Sequence, residues 1–311
     1  MLQLQNENLL ISKTLSELIQ SPQLVDRIIS DFDYTTFHLT TPQDENNLLI
    51  SITSKSFKDL SKYNATNELN VIYEEFKTDY IEPGYDYSIQ LNLIEISNKS
   101  QEERDQIIKD ISLLKRHLLA IPFYHAFKVY NSLAEEYTNS GVEPEATNEI
   151  FEIDYRDEES IYIQPSFDRV TVIFSTIFKD ETDKVFGKVF LQEFVDARKR
   201  AVQNAPQVLY SHKEPPLEIR NLIKFKADEK KGYITFVLFP RHLTVQKQDN
   251  TISHIQLFRN YFHYHIKCSK AYMHSRMRFR VDQYLKVLNR AKPENEEVAR
   301  KTASGRRFLS T

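Results

Sequence analysis

The sequence predicts an α+β protein: two tandem, similar α/β domains with antiparallel sheets, the second ending in a long C-terminal helix. Three observations carry that expectation. Short runs rich in Val, Ile, Phe and Tyr follow one another in meander-like spacing, without the strand–helix alternation of a parallel sheet. Each half closes with a long helical pattern. Between the halves lies a polar, turn-rich stretch, Asn139–Asn148, containing Gly141 and Pro144, which sets the domains at 1–142 and 143–311.

In chain order, Leu10, Ile11, Leu15, Leu18 and Ile19 fall at helical spacing within residues 7–20. Strand-like runs follow at Leu24–Phe32, Tyr34–Leu39 and Leu48–Thr53, then helical spacing over Glu68–Phe76, a Pro83–Gly84 turn and a strand at Tyr87–Ile94. Ser100 and Glu103 form a capping box, in which hydroxyl and carboxylate each satisfy an otherwise unpaired N–H. Behind it Ile107, Ile108, Ile111, Leu114 and Leu118 begin a helix expected to reach about Tyr137. A kink is expected at Pro122, which has no N–H to donate. In the second half, Ile150–Tyr155, Ile161–Gln164, Val170–Phe178, Val185–Phe194, Val208–His212 and Tyr233–Phe239 read as strands.

After Pro240, Asp249 or Asn250 is expected to cap the last helix, which meets no Pro or Gly until Pro293 and so covers about 250–291. Its length is roughly 63 Å, several times the usual. Its apolar residues form two neighbouring stripes: Ile255, Phe258, Phe262, Ile266 and Met273 beside Leu257, Tyr261, Tyr264, Cys268 and Tyr272. Packing on one sheet needs one stripe, so the helix is expected to meet a partner chain as well. Ile255, Phe258, Tyr261, Phe262, Ile266 and Tyr272 are the residues expected to pack against it.

Composition narrows the chemistry. The 311 residues include only five glycines, never clustered. Clustered glycines let backbone approach a phosphate, so phosphate-loop, dinucleotide and kinase readings fall away, as does a serine nucleophile flanked by glycines. The single thiol, Cys268, permits neither an intrachain disulfide nor a cysteine-dominated zinc site. The N-terminus lacks the features of a secretory signal, and no apolar run approaches the ~20 residues that span a bilayer. A cytoplasmic protein without integral membrane association or cofactor is expected.

The remaining constellations are mostly decoys. His263 and His265 sit two positions apart on a helix, about 200° around the axis, so they cannot share an ion; only His265 and Cys268 share a face. Packing is the expected role, with no metal. Asp31-Phe32-Asp33 resembles a kinase metal motif but has Asp where Gly is needed, and is expected to be coincidental. Asp157-Glu158-Glu159 and Asp180-Glu181-Thr182-Asp183 are expected to solvate hairpin tips. No catalytic set emerges.

The basic residues carry more. Net charge is −3, yet residues 251–311 hold thirteen Lys and Arg against four Asp and Glu, a local +9 on a body of −12. Arg198, Lys199 and Arg200 are expected to close a strand pair. Lys267, Lys270, Arg276, Arg278, Arg280, Lys286 and Arg290 line the last helix, and Lys292, Arg300, Lys301, Arg306 and Arg307 extend the run. A field of one sign steers an oppositely charged partner. The acidic body argues against nucleic acid, which leaves an acidic protein surface or an anionic membrane. The favoured contacts are Arg198, Lys199, Arg200, Arg276, Arg278, Lys286 and Arg290.

The run FDRVTVIFSTIFKDETDKVFGKVFLQEFVDARKR (Phe167–Arg200) resembles the signature of the subunit 2 family, the 34 kDa subunits, of the actin-related protein 2/3 complex. So do APQVLYSHKEPPLE (Ala205–Glu218), GYITFVLFPRH (Gly232–His242), HYHIKCSKAYMHSRMR (His263–Arg278) and YLKVLNRAKP (Tyr284–Pro293). The first half is similar only loosely, through the course of its strands and IDYRDEESIYI at its border. The resemblance implies tandem secretion-chaperone-like α/β domains and a long C-terminal helix packed with subunit 4 at the centre of a seven-subunit assembly. It implies no catalysis by this subunit, and contact with the side of a mother actin filament while a branch is nucleated, in the actin cytoskeleton of cortex and protrusions. The alternative is a peripheral module that binds anionic lipid through the same basic helix.

Overall fold

The computed structural model describes residues 4–42, 44–145, 149–220 and 229–290. The chain forms two compact units, Met1–Tyr264 and His265–Thr311.

The first unit opens with α1 (Leu9–Gln20), started by the Asn8 side chain, which accepts from the N–H groups of Leu10 and Ile11. Strands β1 (Asp26–Asp31), β2 (Thr35–Thr40) and β3 (Asn47–Ser54) form an antiparallel meander that β4 (Tyr87–Asn92) extends in the same order. Alternation along β2 turns Phe37 and Leu39 into the core and His38 to the opposite face. Between β3 and β4 the chain makes α2 (Phe57–Ser61), α3 (Ala65–Ile72) and a 3-10 turn at Glu74–Phe76, so the helix expected over Glu68–Phe76 starts and stops earlier.

After α4 (Leu93–Ser97), the capping box starts α5 (Gln101–Ser112) as its spacing predicts. The long helix then breaks at Leu113, not at Pro122. Leu113 leaves helical geometry (φ −93°, ψ 7°), and the change of direction buries both Ile111 and Leu114. Pro122 lies buried inside α6 (Leu114–Ser140), where it forfeits a single ladder bond. Gly141 stops α6 at φ 65°, a left-handed conformation that suits a residue without Cβ.

The second sheet runs β5 (Phe151–Arg156), β6 (Glu159–Pro165), β7 (Val170–Ile177), then β9 (Lys231–Leu238) and, at the edge, β8 (Gln207–His212), all antiparallel. The strand expected over Val185–Phe194 is instead part of α7 (Glu181–Arg200). Asp180 caps it by accepting from the Asp183 N–H, so this acidic cluster starts a helix where a hairpin tip was expected. One face of the sheet is closed by Ile219 of α8 (Leu217–Arg220), which packs with Tyr162, Ile173 and Tyr233.

The final helix, α9, runs Val245–Arg290. It starts ahead of the expected cap: the Thr244 carbonyl already accepts from Lys247 and Gln248, which leaves the Asp249 carboxylate for another use. Both halves repeat one order, a three-strand meander, a helical insertion, further strand and a closing helix. Helix α6 also packs on β5, β6 and β7, joining the halves.

Candidate interaction surfaces

The seam between the halves is built from charges. Asp33 sits in the β1–β2 turn at φ 63°. Its carboxylate lies 3.4 Å from Lys115 of α6 and accepts from Arg156 Nε of β5 at 2.6 Å and from Asn260 Nδ2 of α9 at 3.1 Å. Lys115 also pairs with Asp31 at 3.6 Å. Asp31-Phe32-Asp33, whose likeness to a kinase metal motif was expected to be coincidental, is half of an ionic joint. Burial alone would raise Asp33, but Lys115, Arg156 and the two hydrogen bonds outweigh it and hold the carboxyl below its usual range.

Beside it, buried Arg116 donates to Ser253 Oγ at 3.0 Å, the Tyr124 hydroxyl at 2.9 Å and the Asp249 carbonyl at 2.8 Å, and pairs with the Asp249 carboxylate at 3.1 Å. Glu159, expected at a solvated tip, is buried. It pairs with Arg259 at 2.6 Å and accepts from Thr176 Oγ1 and the Ile177 N–H. Only its neighbours behave as a tip: Asp157, exposed in the turn, meets Lys55 and the Tyr34 hydroxyl.

Arg198, Lys199 and Arg200 do not close a strand pair; they form the last turn of α7, where cations meet the partial negative charge of a helix end. Arg198 Nε donates to the Ala205 carbonyl at 3.0 Å, Arg200 pairs with Glu193 at 3.5 Å, and Lys199 is exposed. Helix α7 approaches its neighbours closely at Gly187, where a Cβ would stand 2.8 Å from the Phe178 ring and 3.1 Å from that of Phe262.

Along the part of α9 in the first unit, the expected partner-packing residues divide. Ile255, Phe258 and Phe262 are buried by this chain: the Phe258 ring lies 4.6 Å from that of Phe236 and 5.6 Å from that of Phe174, and Phe262 lies 5.8 Å from Phe190. Tyr261 is half-buried at the rim of an apolar groove of about 670 Å³ shared with Phe194, Pro206, Leu257 and Leu4. His263 stacks on Phe178 and shares a hydrogen bond with Thr176. Among the described residues no group of three or more His, Cys, Asp or Glu is placed to hold a metal, and no helix is long and apolar enough to cross a membrane.

In the second unit, Ile266 is buried while Tyr272 and Cys268 are exposed. Beyond them Met273, Met277, Val281, Tyr284 and Leu288 are all exposed. At helical spacing these five share an arc of about 80°. This stripe was missed by the sequence reading, which followed the apolar residues only to Met273; the i, i+4, i+4, i+3, i+4 spacing from Met273 to Leu288 was the available signal. Arg276, Lys286 and Arg290 share another arc of about 80°, and Arg278 points elsewhere. Arg276 donates to the Tyr272 hydroxyl at 3.1 Å and Lys286 pairs with Asp282 at 2.7 Å. Lys292, Arg300, Lys301, Arg306 and Arg307 lie outside the described residues.

Residues 50–295 match the family model of the Arp2/3 complex 34 kD subunit, p34-Arc. Over 318 aligned residues the chain is 47% identical to the actin-related protein 2/3 complex subunit 2 of Schizosaccharomyces pombe, covering 99% of both chains. Over 310 residues it is 36% identical to the protein of the same name from Dictyostelium discoideum, again covering 99% of both.

Proposed function

The chain belongs to the p34-Arc family of Arp2/3 complex subunits, and from that premise we propose that it is a non-catalytic scaffold that joins other subunits to the side of a mother actin filament. The observation that carries this reading is the exposed stripe Met273–Met277–Val281–Tyr284–Leu288 on α9. A contiguous apolar surface of that kind marks a protein interface, and subunit 4 is its proposed occupant. Domains 1–142 and 143–311 supply the body, and Arg198, Lys199, Arg200, Arg276, Arg278, Lys286 and Arg290 supply cations for the acidic filament surface. Its place of action is the cytoplasmic actin cytoskeleton, at cortex and protrusions.

The test is an assembled complex carrying Arg276→Glu, Arg278→Glu, Lys286→Glu and Arg290→Glu. Single exposed charges contribute at most about 1 kcal/mol, so one reversal changes little and four together should weaken filament-side binding and branch formation. Normal branching by the intact variant complex moves the filament contact elsewhere; loss of assembly puts these residues at a subunit interface. An apolar stripe on a basic helix also suits an anionic membrane, the alternative reading. Pelleting with filaments and with anionic vesicles, compared across salt concentrations, separates the two.

A further inference from the structure

On the outer face of the first sheet, His38 holds carboxylates with both ring nitrogens. Nδ1 lies 2.6 Å from Glu82 and Nε2 lies 2.8 Å from Asp26. Asp26 comes from β1, one diagonal step from the residue opposite His38, which is Ile28. Glu82 comes from the segment 77–86 that precedes β4 and crosses this face. The same segment stacks Tyr85 on the imidazole, with ring centres 5.7 Å apart. Its Glu82 N–H donates to Ser88 Oγ at 3.2 Å, and Ser88 bonds Ser51, which the crossing leaves fully buried.

A neutral imidazole has one N–H and one lone pair, so it can donate to only one of two ionised carboxylates. Against the other, lone pair would face negative charge at hydrogen-bond distance. Both contacts together require the imidazolium. The titratable groups facing the ring are Asp26 from β1 and Glu82 and Tyr85 from the segment; β3 and β4 offer only the hydroxyls of Ser51 and Ser88. Among the described residues, the charged groups that act on the ring are these carboxylates, with no Lys or Arg beside them.

We propose that His38 is a proton-operated clasp: protonated, it pins segment 77–86 to the sheet, and on losing its proton it releases that segment. The segment carries Tyr80 and Ile81, both exposed, so release alters an apolar patch of the subunit surface. Although burial works against the charged ring, the two carboxylates outweigh it and raise His38 above its ordinary value of 6.5. The sign follows. A raised folded value means the clasp is fully closed below 6.5 and is lost as pH rises through the higher value. Two other histidines do not compete: His117 is pushed down to about 4 and His242 is lowered, both by burial first, so both stay neutral above 6.5.

The test is hydrogen exchange in the purified complex from about pH 6 to about pH 8, corrected for intrinsic exchange, following peptides over residues 77–86. Protection should hold level below 6.5, fall by up to about tenfold per pH unit from there to the raised His38 value, and level off above it. His38→Gln should remove the pH dependence, and Glu82→Gln should flatten it while leaving the core of the sheet protected. Equal protection at both ends of the pH range, or an unchanged slope in His38→Gln, overturns the proposal. If His38→Gln fails to assemble, an unchanged slope in Glu82→Gln overturns it instead.

Discussion

At the residue scale, the decisive groups are charges that meet across long stretches of chain. Asp33 is 123 positions from Arg156 and 227 from Asn260. Nothing local in Asp31-Phe32-Asp33 signals that pairing. Glu159 was misplaced for the same reason, since its partner Arg259 is 100 positions away. Asp33→Asn should leave Arg156 without its counter-charge and Lys115 with Asp31 alone. Breaking a fully buried pair costs about 3–5 kcal/mol, and because these two cations keep some contact with water the expected cost is nearer 2 kcal/mol. With its folded value lowered, Asp33 contributes in full above the ordinary 3.8, and the contribution is lost as pH falls through the lower value. Urea midpoints of the co-purified assembly should therefore separate wild type from Asp33→Asn at neutral pH and converge in acid. A constant gap down to pH about 3 would contradict the ionic account.

At the element scale, most strands were legible from alternation, and α5 from its capping box. Helix α7 was not. Val185, Phe186, Val189 and Phe190 have high strand propensity, yet Val185 and Val189 are exposed, while Asp183, Gly187 and Leu191 are buried at i, i+4, i+8. Tertiary packing overrode propensity here. The overlooked signals were the Asp180 cap and a glycine at the one point where α7 touches two phenylalanine rings. The stripes of α9 show the converse: spacing found the apolar residues but not what covers them. Phe262 is fully buried and Tyr272 is 61% exposed, although both were expected at the partner interface. Phe262→Ala should therefore lower stability by about 3–5 kcal/mol, visible as a lower melting temperature and reduced soluble yield. Tyr272→Ala should stay within about 0.5 kcal/mol in the same measurement; equal losses would show that the two positions share an environment.

At the scale of the whole molecule, the tandem plan and the long last helix were readable because each rests on local pattern. The ionic seam was not, because it exists only once the halves meet. The exposed stripe of α9 should make the chain poorly behaved when expressed alone, since soluble monomers rarely display such a surface. Light scattering should show concentration-dependent self-association. Met277→Lys with Leu288→Lys should relieve it while also preventing capture by subunit 4, the proposed occupant of the stripe; a monodisperse wild-type monomer would count against the docking role. The seam also has a consequence for synthesis. Residues 249–260 supply Asp249, Ser253, Gln256 and Asn260, which bond Arg116, Asn6 and Asp33. Ribosomes add about 5–20 residues per second, so the interval between making Asp33 and making Asn260 is about 11–45 s. Throughout it the first half stands without α9, and the Asp33 turn, although Lys115 and Arg156 can already meet it, lacks its bond from Asn260. The nascent chain can pack α6 on β5, β6 and β7 early, but the share of the seam that α9 supplies can be added only once Asn260 has been made.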